Sequence, residues 1–215
     1  MSLLIGAFEY AQRNPRFFLN SLETHVILSL SALTLAFLIG LPSGILVARH
    51  LVVAPLAINL TNALRVVPSL AILFLAYPYL GLGFVPALVA ITILAIPPIL
   101  INTYAGFRSV PDEVVESARG MGMSTAQILR WVEFPLALPV IIAGVRTATV
   151  EVIASATLAA FIGGGGLGDF ILRGFALFDA RVMLAGAIPV ALLALLAEGV
   201  LATVQHQLSP PAARS

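Results

Sequence analysis

The sequence predicts an all-α integral membrane protein, a bundle of five spanning helices, and three observations lead there. Charged residues make up 10% of the 215-residue chain and hydrophobic ones 60%, against about 25% charged in an ordinary soluble domain. The mean hydropathy is correspondingly high, +1.06. The apolar residues collect into five stretches, about 24–47, 53–79, 84–106, 136–160 and 183–205, each long enough to cross a bilayer at about 20 residues per crossing. Nothing in the remainder suggests a second domain, so residues 1–215 read as one transmembrane domain.

The opening MSLLIGAFEYAQRNPRFF carries Glu9 and no basic start before a short apolar core, so it is not expected to be a cleaved signal peptide. Arg49 follows the first span and Arg108, Arg119 and Arg130 follow the third, whereas the GLGF link between the second and third is uncharged. Arginine excess marks cytoplasmic loops, which places the N-terminus outside and the C-terminus in the cytoplasm of a multi-pass cell-membrane protein. Arg13, Arg16, Arg173 and Arg181 then fall on the outer side, each region also holding acids. Pro42, Pro68, Pro97, Pro98 and Pro189 interrupt the spans. Each removes a backbone donor, which lipid tolerates only where neighbouring protein or a water-filled cavity covers the gap. Broken helices mark transport paths, although proline is also commoner in spanning helices at large.

The third and fourth spans are joined by residues 107–135, the most charge-dense stretch, containing GFRSVPDEVVESARGMGMSTAQILRWVEF. It reads as two short helices. Pro111 suits a first helical turn, Asp112 and Glu113 suit the positive end of the dipole, and Val114, Ala118 and Met121 share a narrow apolar face. Gly120 and Gly122 stop that helix; Ser124 with Gln127 then forms a capping box, and Pro135 marks the turn back into the membrane. A link of this size exceeds the about 2–8 residues that helix pairs need. Two readings stay open from physics: a docking element for a cytoplasmic partner, or an amphipathic pair on the membrane surface with Trp131 as anchor.

After the fourth span comes FIGGGGLGDFI, with Gly163, Gly164, Gly165, Gly166 and Gly168. Gly163 and Gly168 have the separation of a phosphate loop, but Asp169 stands where the loop's lysine is required and no soluble strand precedes the run, so nucleotide binding is not expected. The glycines serve geometry instead, a tight turn and close backbone approach at an outer gate.

Inside the apolar stretches, Thr147, Glu151 and Ser155 recur at four-residue intervals on the fourth span. A carboxylate costs about 2.5–3.5 kcal/mol in hydrocarbon, so Glu151 should face the interior, a partner or water. Arg65 precedes Pro68, where a broken helix would offer carbonyls; Arg146 is expected to snorkel, and Glu198 to pair with one of these arginines. Tyr77, Tyr79 and Phe84 stand near an outer mouth.

His25, His50 and His206 are isolated, and neither a G-x-S-x-G nor an H-E-x-x-H pattern occurs, so no catalytic residue and no metal site is expected. The absence of cysteine excludes disulfides and thiolate ligands. All eleven basic residues are arginine and nearly balance ten acids, which argues against a nucleic-acid surface. A passive channel would not need the charged loop.

Glu116-Ser117-Ala118, then Gly122, then Val132-Glu133-Phe134-Pro135 resembles the EAA motif of ABC importer permeases, with serine for the first alanine and valine and phenylalanine for the aliphatics. NALRVVPSLAIL, ARGMGMS and FIGGGGLGDFI extend the resemblance, which is strongest to the glycine betaine, carnitine and choline group. It implies a five-helix bundle of the type I importer permease kind, with a cytoplasmic coupling helix that inserts into an ATPase subunit. Glu116, Ser117, Ala118, Arg119, Met121 and Gly122 would meet that ATPase. The implied partners are two ATPase copies, which bind the ATP and magnesium, a second permease subunit, and an extracytoplasmic solute-binding protein. No cofactor would sit on this chain. The polar stripe of Thr147, Glu151 and Ser155, with Arg65 and Pro68, would line the translocation path or the dimer seam.

Overall fold

The computed structural model describes residues 2–50 and 52–208, and among these every regular element is helical. In order they are α1 (Ser2–Arg13), α2 (Pro15–Arg49), α3 (Ala54–Val66), α4 (Ser69–Leu80), α5 (Phe84–Arg108), α6 (Asp112–Gly120), α7 (Thr125–Ile128), α8 (Phe134–Ser155), α9 (Gly168–Ala176) and α10 (Ala180–Leu208). A π-helical turn over Leu129–Glu133 joins α7 to α8, and a 3-10 segment over Ala156–Ile162 extends α8.

Four of the described helical runs are long and apolar enough to cross a membrane: Pro15–Arg49, Phe84–Arg108, Thr125–Ile162 and Ala180–Leu208. The pair α3 and α4, bent by 94°, makes a fifth if taken as one span.

Helix α5 lies between α2 and α8, and small residues make the close approach possible. Ala32, Ala36, Gly40, Gly44 and Ala48 recur every fourth position on the buried face of α2. A spacing of four keeps one narrow stripe aligned, so α5 can ride against backbone rather than side chain. Gly144 does the same on α8, where a Cβ would stand 2.7 Å from the Pro98 carbonyl oxygen. Around these contacts Leu28, Leu73, Ile91, Ile99 and Val152 close the main core. A second cluster sets Phe170 of α9 among Ala7, Val182 and Ala185, with Tyr10, Phe17 and Phe18 packed on it.

The N-terminal tail is a helix, α1, held by that aromatic cluster; its short apolar pattern gave no sign of it. Two expectations are corrected. Of the prolines expected to interrupt the spans, only Pro68 breaks a helix: Pro42, Pro97, Pro98 and Pro189 all lie inside continuous helices; Pro97 and Pro98 are buried among neighbours whose packing offsets the loss of a donor, whereas Pro42 is exposed. Pro135 does not turn the chain. The wider π turn, in which the Phe134 N–H reaches the Leu129 carbonyl, gives the proline ring room, and the helix runs unbroken from Thr125 to Ile162.

Replacing Gly44 by valine would place a Cβ 2.5 Å from the Thr103 Cβ and 2.8 Å from the Leu100 carbonyl oxygen. Overpacking of this kind costs about 1–3 kcal/mol, so Gly44→Val should lower the thermal unfolding midpoint in detergent. At Gly199 a Cβ meets nothing within 4 Å; Gly199→Ala should hold or raise the midpoint, because alanine is favoured by about 0.5–1 kcal/mol in a helix interior.

Candidate functional site

Two regions bring the notable residues together. The first is the loop of α6 and α7. Asp112 and Glu113 occupy the first turn of α6 and Arg119 its last, each at the end where the helix dipole favours it. Its C-terminus closes with two hydrogen bonds, Met123 N–H to the Ala118 carbonyl at 3.2 Å and Gly122 N–H to the Arg119 carbonyl at 2.9 Å. That is a Schellman cap, and it needs a left-handed residue at Gly122, whose φ is +83°. The capping box then starts α7 immediately: Ser124 N–H donates to Gln127 Oε1, and Gln127 N–H donates to Ser124 Oγ.

Of the six loop residues singled out in the sequence, only Ala118 is buried, at 1% exposure. Glu116, Ser117, Arg119 and Gly122 are exposed and Met121 is 76% exposed, leaving Val114 and Met121 uncovered on the expected apolar face. Helix α6 therefore shows most of its surface outward while one small residue seats it. Trp131 is also exposed, with the Arg130 guanidinium over its ring.

The seat itself was not legible. The Glu133 carboxylate, 7% exposed as a residue, accepts a charge-assisted hydrogen bond from Arg49 at the end of α2. These residues also line a cleft with Arg108, Asp112 and Arg119 beneath α6. Arg49 stands out in the sequence only as an orientation marker and Glu133 only as part of VEFP, and nothing in their 84-residue separation announces a pair.

The second region is one face of α8. Arg65, Pro68, Ser69, Leu94, Glu151, Ala154 and Ser155 line a pocket of about 400 Å³. Arg146, Thr147, Val150, Glu151 and Glu198 line an adjoining one. The stripe Thr147, Glu151, Ser155 thus joins Arg65 and Pro68 on a continuous cleft. Arg65 reaches Glu151 at 3.7 Å, both side chains about half exposed, rather than turning to the carbonyls of the broken helix. Arg146 does not snorkel freely: it donates to Glu198 and Gln205 of α10. The cleft face therefore carries two matched ion pairs. Tyr77 and Tyr79 are exposed on α4, and Phe84 packs against the core instead.

The glycine run lies past the end of α8. Gly163, Gly165 and Gly166 have positive φ; Gly164 packs against Ala159 and Ala87, and Gly168 touches the Thr157 carbonyl so closely that a Cβ would sit 1.9 Å from its oxygen. The Gly83 N–H donates to Ile162 at 2.7 Å, tying this turn to the start of α5. His25 is fully buried, with Nε2 bonded to the Ile153 carbonyl at 3.1 Å, so it fastens α2 to α8.

A comparison with family models matches residues 25–209 to the binding-protein-dependent transport system inner membrane component. The chain belongs to that family. This transport component is 45% identical over 205 residues to the carnitine transport permease protein OpuCB of Listeria monocytogenes, covering 95% of this chain and 94% of that one. It is 43% identical over 202 residues to the choline transport system permease protein OpuBB of Bacillus subtilis, covering 94% and 93%. Among solved structures, a chain of the inward-facing MetNI methionine ABC transporter superposes with a TM-score of 0.82 at 21% identity, covering 92% of this transport component and 99% of that chain. The fold is that of a type I ABC importer permease. As a member of this family, the transport component is a multi-pass permease subunit that works with a solute-binding protein and a separate ATPase, which hydrolyses the ATP.

Breaking the Arg49–Glu133 pair from one side strands a buried carboxylate. Arg49→Met should cost about 1–3 kcal/mol, less than a fully buried pair because Arg49 is partly solvated. The double variant Arg49→Met/Glu133→Met should recover much of that loss, and a double-mutant cycle on thermal unfolding measures it.

Proposed function

We propose that this chain is the membrane-spanning subunit of an ATP-driven importer for a quaternary ammonium osmoprotectant, glycine betaine, carnitine or choline. The substrate class follows the relatives' printed names, carnitine for one and choline for another. Two copies of the ATPase, which bind the ATP and magnesium, would engage two permease subunits, and an extracytoplasmic binding protein would deliver the solute. The chain itself binds no cofactor. Its N-terminus lies outside and its C-terminus in the cytoplasm, in keeping with Arg49, Arg108, Arg119 and Arg130 at the loop end.

The observation that carries the reading is α6: a capped, charged helix held out from the bundle with Glu116, Ser117, Arg119 and Met121 exposed around a single buried Ala118. Such a helix offers a partner both an apolar knob and a carboxylate. We assign it as the coupling helix. The cleft on α8 is the translocation path: charges half exposed at membrane depth are tolerated where they meet water or protein, not lipid. The turn from Gly163 to Gly168 would close its outer end, alternating with opening at the inner end as ATP is bound and hydrolysed.

Co-purification with the ATPase and binding protein, followed by uptake in liposomes, tests the assignment. Glu116→Arg should reverse the charge offered to the partner, and Gly122→Val should remove the left-handed cap at a cost of about 1–2 kcal/mol. Both should lower uptake about tenfold or more while membrane insertion stays intact. Uptake equal to the parent in both variants would count against α6 as the coupling helix.

A further inference from the structure

The Arg65–Glu151 pair is an odd feature for a conduit that carries a cation. An arginine at the rim of the path repels an ammonium group, and the same fold would avoid that with a neutral residue. The pocket around the pair explains the choice. Its walls are Val66, Val67, Pro68, Leu94 and Ala154, with Ser69 and Ser155 as the neutral polar groups. Both charged side chains remain about half exposed and sit 3.7 Å apart, long for a charge-assisted bond. The pair is therefore open to a competitor on each side.

Ser69 is the first residue of α4, beyond the 94° bend at Pro68. The positive end of α4 and the negative end of α3, whose last turn holds Arg65, meet at this bend and oppose one another, so the charges on Arg65 and Glu151 dominate the field. Glu151 approaches from α8 to within 3.7 Å of Arg65, with the apolar walls around the pair. One molecule matches such a field: a small zwitterion whose carboxylate meets Arg65 while its methylated ammonium meets Glu151 and the aliphatic walls. Its entry exchanges one ion pair for two and leaves no charge alone. A plain cation would take Glu151 and strand the guanidinium; a plain anion would strand the carboxylate.

Among the described residues the pocket lining contains no aromatic side chain, whereas tight ammonium sites are built from aromatic cages. Weak holding suits a point of passage, where a solute must leave as readily as it enters.

We propose that Arg65 and Glu151 form a two-charge selectivity site in the path, which favours zwitterionic quaternary ammonium solutes over purely cationic ones. This rests on the cleft of α8 being the translocation path, and the experiment separates the two claims. The complete transporter, with its ATPase and binding protein in liposomes, is assayed for uptake of glycine betaine and of choline. Arg65→Gln should lower the betaine-to-choline uptake ratio about tenfold, the usual scale for removing one partner of a charge contact. A ratio that stays within about twofold of the parent, with the parent transporting both, overturns the selectivity site but not the importer. A parent that transports neither of them, nor carnitine, overturns the importer reading itself.

Because the chain contains no cysteine, Ser155→Cys gives it a single thiol beside the pair, and this supplies a readout independent of solute delivery. In the assembled complex during ATP turnover, it is labelled with a methanethiosulfonate bearing a trimethylammonium group and with an uncharged one of similar size. Adding Arg65→Gln should raise the cationic-to-uncharged labelling ratio, adding Glu151→Gln should lower it, and glycine betaine should slow labelling in the single variant. Labelling by neither reagent, or a ratio indifferent to both substitutions with labelling indifferent to glycine betaine, would mean that the residues are sealed in a protein seam or act only structurally. Either result would overturn the proposal.

Discussion

A polar group left alone in hydrocarbon costs several kcal/mol, and much of this structure follows from that one constraint. The backbone meets it in that every regular element of the described residues is helical. Three buried threonines meet it by bonding back along their own helix: Thr61, Thr92 and Thr149 each donate to the carbonyl four residues earlier, at 2.6–2.8 Å. Charges meet it in pairs, Arg49 with Glu133, Arg146 with Glu198 and Arg65 with Glu151. At the 94° bend at Pro68 the Arg65–Glu151 pair stands beside a pocket; on the proposed reading of that cleft as the path, water or solute rather than lipid fills the space.

Bringing those pairs together requires helices close enough for side chains of ordinary length to meet. Lipid supplies no hydrophobic drive for helix association, so the contact has to come from fit. The stripe of alanine and glycine on α2 and the matching Gly144 on α8 let α5 sit between them at backbone contact. With α5 so deeply seated, α2 and α8 lie near enough for His25 to reach the Ile153 carbonyl. The loop end is drawn together the same way, Arg49 of α2 reaching Glu133.

Much of this could be read from the residues, and the failures have a common cause. Composition and apolar run length announce a membrane bundle because the bilayer sets a length that any spanning helix must meet. The caps of α6 and α7 were legible because they are local: Gly122, Ser124 and Gln127 lie within six residues. What could not be read was set by contacts distant in sequence. Helix α1 exists because Phe170 and Val182 receive Ala7; Arg49, Arg65 and Arg146 find their acids far along the chain; and Pro97 and Pro98 leave α5 unbroken with neighbours packed around them. Proline signals a local cost, and the sequence does not show what repays it at Pro97 while a break occurs at Pro68.

The helix that failed to break at Pro135 has the widest mechanical consequence. A turn there would have made the loop a tethered element, free to shift without moving the bundle. Instead, α7, the π turn and α8 form one run from Thr125 to Ile162, 38 residues or about 55 Å at the α-helical rise. One end is clamped to α6 through the Schellman cap and the capping box that follow each other without a spacer; the other carries Glu151. Helices are stiff along their axes and cores resist continuous deformation, so a displacement at one end is passed on as a rigid-body tilt rather than absorbed. Arg49 and Glu133 sit near the junction and tie the run to α2, which makes that pair a fulcrum. A tilt about it would move Glu151 relative to Arg65, which is mounted on a different helix, so with α6 as the proposed coupling helix a displacement there would alter the separation of the two charges in the cleft.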